Sequence, residues 1–184
     1  MQISSDHPLR KLFVELVRHQ FYRGADVHDD DVIEYVGGVL TDFIHTDRLY
    51  RIHNASGRRL AEVAEMLVES NPMLDATSFD REREVRKHIG DFTLFFTGLF
   101  PEAVASLPRV NPLSVDTFVD YVAAGKKSYA VVAAFNLFEY RDEAPLFRRL
   151  SERFEACVDG LHLVKRAIDE LGQFPLRPPQ GELM

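Results

Sequence analysis

The chain has 184 residues, with no tryptophan, one cysteine and no dense run of lysine or arginine. Each shortage excludes something. Cys157 alone cannot close an internal disulfide, so the fold must rest on its core, as is usual in a reducing compartment. Arg58-Arg59, Lys126-Lys127 and Arg148-Arg149 are isolated doublets in a chain of formal charge -7. Neutralising phosphates needs a basic face, so a nucleic-acid partner is not expected. No apolar run approaches the ~20 residues of a membrane span, and the opening MQISSDHPLRK lacks the apolar segment of a signal peptide. A cytoplasmic location is the resulting expectation.

What is present in quantity is helical periodicity, carried by aliphatic residues and 14 phenylalanines. The spacing predicts an all-α, single-domain bundle of about six or seven helices over residues 1–172, followed by a flexible proline-containing tail, 173–184. Asp6 is placed as the cap of a first helix with Pro8 in its opening turn, ended by Gly24. A second opens on Asp29-Asp30-Asp31, carboxylates that suit the positive end of the helix dipole, and runs to Ile44. Gly37-Gly38 inside it costs roughly 1 kcal/mol per glycine relative to alanine, which implies a close helix contact or a break. Residues 48–57 read as a connector, and 58–70 as a helix stopped by Pro72.

The stretch from Glu84 to Glu102 is expected to form the central helix, capped by Thr77-Ser78. Val85, Ile89, Phe92, Phe96 and Leu99, spaced four and three, form its core seam. Arg86, Gly90, Thr93 and Thr97 make a stripe small enough overall to admit a neighbouring helix closely. Pro101 ends this helix and opens a short one. After a linker around Pro108 to Pro112, Ser114 is placed as the cap of a second buried helix reaching about Tyr140, with Asn136 on its inner seam. A buried amide there would need a partner, since an unsatisfied one costs about 1 to 3 kcal/mol. From Pro145, the residues Phe147, Leu150, Phe154, Cys157, Leu161, Val164, Ile168 and Leu171 form one continuous seam, for a bundle partner or for a second copy in a homodimer.

Glu84, His88 and Asp91 share one face of the central helix at i, i+4 and i+7. Two carboxylates and an imidazole so placed can hold a divalent metal or relay a proton. One helix alone supplies few ligands, and the Glu-x-x-His pairs of di-iron bundles are absent, so no cofactor is predicted and metal stays the alternative. The other reading of the triplet is an ion-paired shoulder with Arg83 and Lys87. Tyr129, Asn136 and Glu139 are expected to face His88 and Asp91 from the next buried helix. Glu155, Asp159 and His162 repeat the spacing on a solvent face, and Asp42 with His45 forms a third pair near a helix end.

Gly125-Lys126-Lys127-Ser128 is no phosphate loop, because Asp120 stands where its first glycine belongs and the segment is helical. No Gly-x-Ser-x-Gly elbow occurs, and Cys157 lies in a core seam. The phenylalanine-rich interior reads as core, with an apolar-ligand pocket as the alternative.

The run HIGDFTLFFTGLFPE, with the later FVDYVAAGKKSY, resembles uncharacterised bacterial all-helical proteins. That resemblance implies a bacterial origin and carries no activity or site residue. The leading expectation is therefore a non-enzymatic binding or interaction module, self-associating through the last helix, with protein or small-molecule partner unspecified. The alternatives are a metalloprotein or small-molecule enzyme centred on His88 and Asp91, and an apolar-ligand binder.

Overall fold

The computed structural model describes residues 7–71, 73–74, 78–107 and 117–172. Among these the protein is all-α, with nine helices and no strand. In chain order they are α1 (Pro8–Gln20), α2 (Asp30–Phe43), α3 (Thr46–Leu49), α4 (Val63–Glu69), α5 (Phe79–Leu99), α6 (Pro101–Ala105), α7 (Thr117–Ala134), α8 (Ala144–Glu152) and α9 (Phe154–Glu170). Helix α5 is the axis of the bundle. Helix α7 and helix α9 pack along it, while α1 pairs with α2.

Local chemistry explains most helix starts. The Asp29 side chain accepts from the Val32 amide, and Ser78 from the Arg81 amide at 3.1 Å. At α1 the cap is His7, whose Nδ1 accepts from the Leu9 amide, in place of the expected Asp6, which lies outside the described residues. A π-helical turn, Phe21–Ala25, extends α1 through Gly24 before Asp26 turns the chain in a left-handed conformation, φ 52°.

Close helix contacts account for two of the predicted small residues. A Cβ on Gly37 would lie 2.6 Å from Val14 Cγ2 and 2.9 Å from Val14 Cα, so α2 runs against the backbone of α1 there. A Cβ on Gly90 would lie 2.8 Å from Tyr129 Cζ, so the Tyr129 ring rests on the bare backbone of α5. The seam Val85, Ile89, Phe92, Phe96 and Leu99 is buried throughout.

Three predicted boundaries change. Residues 58–62 are not helical, because the Asn54 side chain accepts from the Ser56 and Arg58 amides and Gly57 takes φ 81°. The chain thereby folds back into an isolated bridge between His53 and Arg59. The long helix ends at Ala134 rather than near Tyr140. Beyond it, Tyr140 is held onto the start of α5 by its hydroxyl bond to Asp80, 2.8 Å, and by the Arg83 guanidinium 4.0 Å over its ring. The predicted cap Ser114, the linker and the 173–184 tail lie outside the described residues.

The last predicted helix is two, broken at Arg153, where φ is -108° and ψ 20°. Its seam continues through the break, with Phe147, Leu150, Phe154, Cys157, Leu161, Val164 and Ile168 all buried within one chain. Only Leu171 at its end is exposed. The seam therefore meets bundle partners, α7 along α8, and α1 and α5 along α9.

Candidate functional site

At the middle of α5 the charged first half gives way to the apolar second half, and there His88 and Asp91 are both buried. Asp91 Oδ1 accepts two phenolic hydroxyls, from Tyr35 of α2 at 2.5 Å and from Tyr129 of α7 at 2.9 Å. Its Oδ2 pairs with Lys87 Nζ at 3.3 Å, one helical turn back. One carboxylate thus ties three helices together. Burial first, and the Asp91 charge second, push both phenols well above their ordinary range, which keeps them protonated as donors.

His88 is different. Burial, reinforced by the nearby Arg51 cation, lowers its pKa to about 3, so the ring is neutral at physiological pH. Its Nδ1 accepts from Arg51 Nε at 3.2 Å, which assigns the ring proton to Nε2. Nε2 makes no hydrogen bond of ordinary geometry, although the Leu49 backbone carbonyl favours a protonated ring. The Phe43 and Phe92 rings flank the imidazole, with centroids at 5.6 and 6.0 Å. A neutral histidine in that setting is a fixed acceptor, and what it fixes is the Arg51 guanidinium.

These groups border a cleft of about 370 Å³ between α2 and α5. Tyr35, Val39, Phe43, Arg51, Lys87 and Asp91 line it, and Gly38, Arg10, Asp42, Asp47 and Arg48 complete the wall. The size falls within the range of small-molecule sites. Asp42 is ion-paired with Arg48, and Asp47 with Arg59 at 2.9 Å.

Of the residues expected to meet at this point, His88, Asp91 and Tyr129 are on the junction and the two buried helices are adjacent. Glu84 is not part of it; its exposed carboxylate pairs with Arg81 at 3.2 Å. Asn136 and Glu139 are exposed beyond the end of α7, because that helix stops before reaching them, so neither faces Asp91 and the amide needs no buried partner. Lys87 pairs as the shoulder reading has it, whereas Arg83 turns to Glu143 at 2.6 Å.

The other candidate sets do not converge. Glu155 pairs with Lys126, His162 Nε2 lies 2.8 Å from the Thr97 carbonyl, and Asp159 is exposed. Asp42 goes to Arg48 while His45 is exposed. Among the described residues no three His, Cys, Asp or Glu side chains gather at metal-binding spacing. The phenylalanines pack on one another, with Phe92 and Phe96 centroids 4.6 Å apart.

Sequence reasoning missed Tyr35 and Arg51. Tyr35 had a weak signal, a polar ring on the helix face beside Gly37-Gly38; Arg51 had none, since its connector lacks periodicity. Both reach α5 across the fold, from 56 and 37 residues away.

Comparison with protein-family models, curated proteins and solved structures finds no match. No helix among the described residues is long and apolar enough to cross a membrane.

Proposed function

We propose that the protein is a small-molecule binding module whose site is the cleft between α2 and α5. The observation that carries this reading is a cleft wall held rigid by buried polar groups. Asp91 is locked by two tyrosines and Lys87, and Arg51 is oriented by neutral His88, so the polar side chains facing the cleft have fixed positions. Preorganised polar groups on packed helices lower the ordering cost of binding a ligand.

A binding role fits better than acid–base catalysis by Asp91. Both of its oxygens are already engaged, one by two hydroxyls and the other by Lys87, so abstracting a proton would break contacts that hold three helices together. Metal binding is poorly supported for the same reason, since His88 Nδ1 and Asp91 are committed to other partners and Glu84 points to Arg81.

The test is a fragment screen by amide NMR on the full chain, using neutral, cationic and anionic compounds. Binding should shift the amides of Tyr35, Val39, Phe43, Arg51 and Lys87, and Gly38→Leu, which fills the cleft from α2, should abolish those shifts. Shifts elsewhere only, or shifts that survive Gly38→Leu, would refute the reading.

A further inference from the structure

The charges around the cleft are unevenly matched. Lys87 is matched by Asp91 and Arg48 by Asp42, while Asp47 is taken by Arg59 and Arg10 has an interaction of its own. Arg51 is exposed and lines the cleft, yet among the described residues the one hydrogen bond of its guanidinium is from Nε to His88 and no carboxylate lies in ion-pair range. Nε is therefore spent on orientation, and both terminal nitrogens remain for something else. A guanidinium held at Nε presents a planar pair of donors that matches the two oxygens of a carboxylate. The anchor is rigid because His88 is wholly buried between aromatic rings.

The neighbouring wall supplies the rest of the recognition. Val39, Phe43 and the Tyr35 ring border the same space, so a ligand whose anionic end meets Arg51 can lay an apolar body against α2. One unmatched guanidinium calls for one negative charge, and the small volume calls for a compact body. We propose, resting on the cleft reading above, that the ligand is a small organic monocarboxylate with its carboxylate on Arg51 and its apolar or aromatic body against Val39 and Phe43. His88 then acts as a positioning residue for Arg51.

Benzoate, benzamide and phenyl phosphate are the probes, titrated into the full chain and followed through the cleft amides and the Arg51 side-chain Nε–H resonance. Benzoate is expected to bind at least about tenfold more tightly than the isosteric neutral benzamide. Arg51→Gln, an exposed substitution whose folding is checked by its melting curve, should remove that difference by bringing benzoate down to the affinity of benzamide. Equal binding of benzoate and benzamide, or benzoate binding unaffected by Arg51→Gln, would overturn the carboxylate assignment while leaving the cleft a binding site. Phenyl phosphate binding tenfold tighter than benzoate would likewise overturn it, in favour of a phosphate. If none of the three shifts a cleft amide, the carboxylate inference falls, and the fragment screen with its Gly38→Leu control decides the cleft reading separately.

Discussion

Removing the Tyr129 hydroxyl tests whether Asp91 joins the helices as its geometry implies. Tyr129→Phe keeps a ring that lies on Gly90 and packs 5.8 and 5.9 Å from the Phe147 and Phe154 centroids, so little packing is lost. What disappears is one buried hydrogen bond to a charged acceptor, a class of bond worth about 1.5–3 kcal/mol. Oδ1 keeps the Tyr35 hydroxyl, which places the expected loss in the lower half, ~1.5–2 kcal/mol. For a chain of this length that corresponds to a fall in melting temperature of roughly 3–8 °C. Urea unfolding at pH 7 should show a lower midpoint with an unchanged slope. Tyr35→Phe alone should act similarly, but the double variant should lose more than the sum by ~0.5 kcal/mol or more, because Asp91 would then be a buried carboxylate with Lys87 as its one remaining partner. A Tyr129→Phe loss under ~0.5 kcal/mol, or strict additivity, would refute the idea that these hydroxyls jointly satisfy Asp91.

Two further outcomes follow from neighbouring parts of the site. The adjacent glycines of α2 should respond with opposite signs: Gly38→Ala meets only the end of the Arg10 side chain, at 3.3 Å or more, and should stabilise by up to ~1 kcal/mol, whereas Gly37→Ala collides with Val14 backbone and should destabilise by ~1–3 kcal/mol. Thermal melts of both would expose an error if the two shifted the same way. The depressed His88 pKa makes stability fall in acid, since an unfolded imidazole takes up a proton near pH 6.5 that the folded one refuses until about pH 3. This contribution is complete above about pH 6.5 and is lost as pH drops toward 3, by at most ~1.4 kcal/mol per pH unit. Urea midpoints between pH 7 and 4 should therefore narrow the gap between wild type and His88→Gln, and a gap constant across that range would contradict a buried neutral imidazole.

The central helix was legible from its own residues. A four-three spacing of large apolar side chains from Val85 to Leu99 leaves no other way to bury them, and the small Gly90 marks where a neighbour comes close. The same local information placed Asp29 and Ser78 at helix starts, and of the three residues expected opposite His88 and Asp91 it is Tyr129 that reaches Asp91. Extending a pattern past its true end was what failed. Phe135 to Phe138 are as apolar as the helix before them, yet the chain leaves the helix at Ala134 because Tyr140 is drawn to Asp80 and Arg83, residues some sixty positions earlier. Asn136 and Glu139 were carried to the surface by that departure.

The sequence by itself determined that the chain is helical, which helix lies at the centre and where along it polarity gives way to core, since these depend on residues a few positions apart. Tertiary structure alone decided which of the polar residues meet. Glu84 and Asp91 lie two turns apart on one helix face, but one pairs with Arg81 at the surface and the other takes hydroxyls from two different helices. Nor could any local rule bring Arg51 onto His88. The course of the connector over α5 sets that contact, and with it the face of the guanidinium that points to a carboxylate ligand.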